Sequence, residues 1–125
     1  MKSRSAFRSL AALGAAAGLL IFATEAEAHA HLVSATPAAN STVASPRQLT
    51  LHFTEELAPK FSGFDLMKAD GGAVSVNASV PAADAKSMVG VVAAPLPAGN
   101  YMVMWHAVAA RNGHRTEGDF NFTVQ

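Results

Sequence analysis

The sequence has no cysteine, and only one tryptophan and one tyrosine. Without cysteine, an exported domain of this size must rely on its hydrophobic core rather than on disulfides. A thiolate metal site is excluded as well. Any bound metal ion would need histidine, methionine, carboxylate, amide or a free amino terminus as ligands.

The sequence also lacks an excess of charge of either sign, with nine basic and nine acidic residues. Nucleic-acid binding requires a basic surface, so this class of function is excluded. Beyond residue 28 there is no apolar run near the length of about 20 residues that spans a membrane. The sequence predicts a nearly neutral, soluble domain.

Residues 1–28 have the three parts of a secretory signal peptide. A positive segment extends from Lys2 to Arg8. It is followed by an apolar run from Leu10 to Ala23, which is short for a membrane anchor, and by a small-x-small cleavage site at Ala26 to Ala28. We therefore expect residues 1–28 to be removed and residues 29–125 to form one exported domain. A second such triplet, Ala28 to Ala30, would instead start the mature chain at His31, and this alternative stays open.

The stretch from Tyr101 to Val124 predicts a long β-hairpin. Apolar residues occupy alternate positions in two runs, Tyr101 to Ala107 and Phe120 to Val124, which is the period of a β-strand. Asn112-Gly113 between them is a strong turn signal. This pattern places His114 in or just after the loop and puts Trp105 at the centre of the core.

Shorter strands with turns between them precede this hairpin, and no segment has the period of an amphipathic helix. Alternating apolar residues predict strands over Gln48 to Phe53, around Phe64 and Leu66, over Val74 and Val76 as one strand, and over Met88 to Val92. Seven or so short strands are typical of a small antiparallel β-sandwich or barrel.

The histidine pair His29 and His31 stands directly at the predicted cleavage site. A free amine at His29 could chelate Cu(II) together with its own imidazole, because Cu(II) favours nitrogen donors in tetragonal geometry. The amine could alternatively wrap the ion with the His31 ring and the intervening amide nitrogens. His114, as a histidine in a loop on a rigid scaffold, is suited to complete a site.

Two other groups of residues are weaker candidates. Met102, Met104 and His106 share one face of the predicted strand, and thioethers suit Cu(I), but packing or chance on an outer face is the favoured explanation. His52 alternates with core residues on its strand and is interpreted as an outward or hydrogen-bonded structural histidine.

Taken together, these segments resemble the CopC family of periplasmic copper-binding proteins over essentially all of residues 29–125. The matching pieces are His29 to Ser34 with Pro37, Leu49 to Glu55, Phe61 to Gly63, Lys86 to Val89, Pro95 to Tyr101 and Trp105 to Val124. The resemblance implies a Greek-key β-barrel or sandwich of immunoglobulin-like shape. It also implies a Cu(II) site that uses the amino-terminal histidine and a histidine in an Asp-x-His loop.

Carried over to this chain, the resemblance assigns the terminal role to His29 and the loop role to His114. The family's aspartate falls on Asn112, which brings no negative charge and a weaker oxygen donor. His31 is a candidate additional ligand. The segment from Trp105 to His114 is also one residue longer than the commonest form, which predicts a bulge.

The function implied is that of a monomeric periplasmic protein that binds copper without catalysis. It would serve copper resistance or homeostasis, or pass copper to a CopD-type inner-membrane partner. Two alternatives are a small copper-dependent oxidative enzyme with an N-terminal histidine chelate and an immunoglobulin-like module that binds no metal. The few aromatic residues disfavour the enzyme, since polysaccharide-oxidising enzymes commonly use aromatic substrate surfaces.

Overall fold

The computed structural model describes residues 29–125, and the predicted signal peptide lies outside the described residues. This part of the chain contains nine strands and no helix: β1 Leu32–Thr36, β2 Thr42–Val43, β3 Gln48–Phe53, β4 Gly63–Lys68, β5 Ala73–Val74, β6 Val76–Ser79, β7 Ser87–Val92, β8 Gly99–Val108 and β9 Arg115–Val124. Accordingly, no helix long and apolar enough to cross a membrane is found within residues 29–125.

The strands form two sheets that enclose one core. One sheet has the order β1-β3-β7-β6 and the other has the order β2-β9-β8-β4-β5. All neighbours run antiparallel except β2 and β9, which are parallel. The predicted all-β fold class is confirmed.

The β8–β9 hairpin is the longest element pair and has an even register. Ten residue pairs run from Gly99 opposite Val124 to Val108 opposite Arg115 without a shift. The predicted bulge between Trp105 and His114 is therefore wrong. The loop between the two strands spans residues 109–114, where Gly113 adopts a φ of 74° that favours glycine.

Alternating side chains from both sheets fill the core, as the two-residue period requires. Among the least exposed members are Leu49, Leu51, Leu66, Val103 and Phe122. Trp105, expected at the centre, is only half-buried and packs against the edge of the core. Its ring lies 5.1 Å from that of Phe53 in an edge-to-face contact and covers Gly118, where a Cβ atom would collide with the indole.

Val74 and Val76 do not form one strand as predicted. β5 pairs with β4 in the five-stranded sheet, whereas β6 pairs with β7 in the four-stranded sheet. The chain thus changes sheets around Ser75. Both valines still pack against the core. Their alternation therefore predicted their burial correctly, but it did not predict which sheet each valine joins.

Tyr101 should make the stability of the domain fall at alkaline pH. Its hydroxyl donates to the Pro97 carbonyl at 2.6 Å, and burial, with a smaller contribution from the charge of Asp70, raises the pKa of the phenol. The unfolded chain therefore ionises first as the pH rises through the ordinary value of 10.0. Stability from this group is present below that pH and is lost above it.

We expect Tyr101→Phe to lower the free energy of unfolding by about 1 kcal/mol at neutral pH, because one hydrogen bond is lost. The variant should also decline less steeply than the unaltered protein above about pH 10. Urea unfolding at a series of pH values measures both. Parallel declines for the two proteins would contradict this assignment.

Candidate metal centre

The loop at residues 109–114 fixes the backbone of His114 at the start of β9. The Ala109 amide donates to the His114 carbonyl at 2.9 Å, and the Gly113 amide donates to the Ala109 carbonyl at the same distance. The Asn112 side-chain oxygen accepts from the His114 amide at 3.1 Å. These bonds set the base of the His114 side chain, which is itself exposed.

The segment from His29 to His31 is held against both sheets. Ala30 is fully buried, and its carbonyl accepts a 2.8 Å hydrogen bond from the Thr116 hydroxyl on β9. The His31 carbonyl accepts from the Thr54 amide at 2.9 Å, just beyond β3. The N-terminal end of the described chain is thus fixed beside the β8–β9 loop.

The rings of His29 and His114 meet at this end of the sandwich. Their centroids are 4.8 Å apart and the ring planes are nearly perpendicular, at 82°. The Nδ1 atom of His29 is buried and has no hydrogen-bond partner. Burying an unpartnered polar atom is unfavourable, so this nitrogen fits a metal ion that would supply the missing interaction.

Side chains alone do not complete a metal site here. No group of three or more His, Cys, Asp or Glu residues with metal-binding geometry occurs within residues 29–125. Two imidazoles therefore need a further donor. The chemistry of the pair, with borderline nitrogen ligands and no thiolate, suits Cu(II) more than oxygen-seeking cations.

The other predicted candidates lie differently. His31 is exposed, and among the described histidines only the rings of His29 and His114 are in contact. Asn112 lies in the same loop as His114, but the hydrogen bond to the His114 amide engages its side-chain oxygen. In this arrangement Asn112 shapes the loop.

His52 has the structural role that its pattern indicated. It is exposed, and its Nδ1 lies 2.8 Å from the Ser87 hydroxyl, which donates to Asp84 at 2.6 Å. The hydrogen bond from this hydroxyl is the main reason that the pKa of the Asp84 carboxyl is lowered. Because the serine proton is directed at Asp84, the bond to His52 requires the Nδ1–H form of that ring.

Met102, Met104 and His106 lie on the outward face of β8, as their alternation predicted. Met67 on β4 stands directly across from Met102, and Gly63 stands across from His106. Met104 and His106 are half-buried and Met102 is more exposed. This face is on the outside of the five-stranded sheet, separate from the His29–His114 pair.

Sequence reasoning did not identify Thr54 and Thr116. Both hydroxyls bond the backbone of the His29–His31 segment across long separations in sequence. Thr54 and Thr116 stand inside two segments that carry the family resemblance, Leu49 to Glu55 and Trp105 to Val124, which is the one signal that could have drawn attention to them.

Comparison with known proteins assigns the chain to a family. The model of the CopC domain matches residues 32–125. The chain belongs to the CopC family. Copper resistance protein C of Escherichia coli is 40% identical over 110 residues, which are 82% of this chain and 86% of that protein. Copper resistance protein C of Pseudomonas syringae pv. tomato is 40% identical over 116 residues, covering 88% and 90%.

Solved CopC-family structures have the same fold. The crystal structure of PcoC, a methionine-rich copper resistance protein from Escherichia coli, matches with a TM-score of 0.72 and 41% identity, over 78% of this chain and 100% of that one. CopC from Methylosinus trichosporium OB3b matches with a TM-score of 0.71 and 31% identity, over 78% and 94%. The predicted family and fold are therefore confirmed.

Proposed function

We propose that the mature chain begins at His29, after removal of residues 1–28 as a signal peptide, and binds one Cu(II) ion in the periplasm as a monomer. The ligands are the free amine and imidazole of His29 on one side and His114 on the other. Membership of the CopC family and the names of the copper resistance relatives support copper as the cargo.

The observation that carries this proposal is the buried, unpartnered Nδ1 atom of His29 beside the His114 ring. Nδ1 is the ring nitrogen nearer the backbone, so it is the one that can close a chelate ring with the amine of the same residue. Cleavage before His29 would create that amine. The chelate then supplies the donor that the two imidazoles lack.

We further propose that the protein carries copper without catalysis, for resistance, homeostasis or delivery to a CopD-type membrane partner. Nitrogen donors favour Cu(II) over Cu(I), which prefers sulfur ligands. A small copper-dependent oxidative enzyme remains the runner-up because a terminal histidine chelate also suits oxidative chemistry. The third alternative is an immunoglobulin-like module that binds no metal.

Copper titration followed by a turnover assay separates these three functions. Mature protein starting at His29, verified by intact mass, is titrated with Cu(II), and the loaded protein is supplied with peroxide or a reductant and a polysaccharide. A carrier binds one equivalent and produces no oxidised product. Product formation above free copper would favour the enzyme, and the absence of stoichiometric binding would favour the plain module.

Replacing Asn112 with aspartate should strengthen Cu(II) binding. Aspartate preserves an oxygen that can accept from the His114 amide, and it adds a negative charge in the loop that presents His114. We expect roughly a tenfold gain in affinity, equivalent to about 1.4 kcal/mol, in competitive Cu(II) titration at low salt. Asn121→Asp, which adds the same charge at an exposed position on the outer face of β9, is the control for net charge. No gain, or weaker binding, would contradict a copper ion near this loop.

A further inference from the structure

One hydroxyl from each sheet holds the backbone of the His29–His31 segment. The Thr54 hydroxyl follows β3 in the four-stranded sheet. It accepts from the His31 amide at 3.0 Å and contacts the His29 carbonyl at 3.4 Å. The Thr116 hydroxyl on β9 of the five-stranded sheet donates to the Ala30 carbonyl at 2.8 Å. We refer to Thr54 and Thr116 as the threonine clamp.

The clamp bears directly on how a free amino terminus could bind Cu(II). In the wrapped mode, the amine, the amide nitrogens of Ala30 and His31, and the His31 ring all bind the ion. Each amide nitrogen must first release its proton to solvent. In the structure the His31 amide already donates its proton to Thr54. That bond must therefore break before the wrapped mode can form.

Wrapping would also disturb the anchorage of Ala30. Its side chain is fully buried in the core, and the bond between its carbonyl and Thr116 joins residues 86 positions apart. Curling this segment around an ion would pull Ala30 away from both contacts. In the extended, clamped conformation, by contrast, the His29 ring already lies against the His114 ring.

We propose that Thr54 and Thr116 are positioning residues that select the copper-binding mode of the terminus. They hold the segment extended, which favours chelation by His29 with His114 and disfavours the wrapped mode that uses His31. This inference rests on the proposed function, because it presumes a free amine at His29. It adds that ligand choice is set by two hydroxyls that are not themselves ligands.

The test combines clamp variants with the two histidine substitutions in mature protein starting at His29. Thr54→Val and Thr116→Val are made singly and together, because valine keeps the branched shape and removes the hydroxyl. Thr54→Ser and Thr116→Ser restore a hydroxyl. Thr123→Val, which removes the bond to Asn100 at the far end of β9, is the matched control. Thermal unfolding of the copper-free proteins verifies that each variant folds.

Electron paramagnetic resonance and visible absorption of the Cu(II) forms report the ligand set. In the unaltered and Thr123→Val backgrounds, His114→Ala should lower affinity roughly 10- to 100-fold and change the spectrum, whereas His31→Ala should not. In the double valine variant these effects should reverse: His31→Ala should lower the Cu(II) affinity and change the spectrum, whereas His114→Ala should not. The visible band should move to shorter wavelength as amide nitrogens join the ligand field. Each single valine variant should shift partway, and serine should restore the original spectrum.

A folded double variant whose spectrum still depends on His114 and not on His31 would overturn the role of the clamp and leave the two-histidine site intact. If the double variant does not fold, a spectrum that depends on His114 and not on His31 in both single valine variants would overturn the role of the clamp. An unaltered protein whose spectrum depends on His31 and not on His114 would contradict both this inference and the proposed function.

Discussion

Mature protein lengthened by one glycine before His29 is expected to bind Cu(II) at least about 100-fold more weakly than protein that starts at His29, a difference of roughly 2.7 kcal/mol. The added residue converts the amine of His29 into a peptide nitrogen, which binds a metal ion only after losing its proton. The new amine lies one residue further from the Nδ1 atom that lacks a partner. Competitive titration against a chelator of known affinity measures the loss.

A glycine added after Gln125 is the control, because it changes length and composition equally without touching the histidine pair. Thermal unfolding of the two copper-free proteins should be the same, since the extension lies outside the core. If the N-terminal extension leaves Cu(II) affinity unchanged, the amine is not a ligand. Copper would then have to be held by side chains alone.

Phe122→Ala is expected to lower the free energy of unfolding by about 3–5 kcal/mol, the largest effect on stability that we predict. Phe122 is 1% exposed, and its ring stacks on that of Tyr101 at a centroid distance of 5.5 Å. Truncation removes apolar contact and leaves a cavity between the two sheets that the packed neighbours only partly fill. Urea unfolding followed by circular dichroism measures the change.

Trp105→Ala provides the comparison. The sequence pattern alone placed Trp105 at the centre of the core, which would predict a loss in the same range of about 3–5 kcal/mol. Because its side chain is half-buried, water can reach part of the space it leaves, and we expect about 2–3 kcal/mol. A larger loss for Trp105→Ala than for Phe122→Ala would contradict this view of the core.

The alternation of apolar residues and the turn signals predicted the strands that are defined by local sequence. β3 runs from Gln48 to Phe53 as its alternation indicated, and the β8–β9 hairpin turns around Asn112-Gly113. The depth of Trp105 and the change of sheet between Val74 and Val76 were not predictable in this way. Both depend on how two sheets pack face to face, and a two-residue period carries no information about the partner sheet.

The same distinction applies to the candidate metal site. Its two histidines could be proposed from the chain itself, since His29 stands at a predicted cleavage site and His114 in a predicted loop. Their contact was implied only by the family resemblance. The bond from Thr116 to Ala30 spans 86 residues, and the hydrogen bond from the His114 amide to Asn112 depends on the loop conformation. Such contacts arise from the assembled fold, so residue types and spacing did not reveal them.

The most direct measurement of the copper site is competitive Cu(II) titration with electron paramagnetic resonance on mature protein, His114→Ala and His31→Ala. The proposed site predicts one Cu(II) bound mainly by nitrogen. His114→Ala should weaken binding roughly 10- to 100-fold and alter the spectrum, and His31→Ala should leave both nearly unchanged. If His114→Ala has no effect while His31→Ala abolishes binding, the site formed by His29 and His114 is wrong, and the terminal segment alone holds the copper.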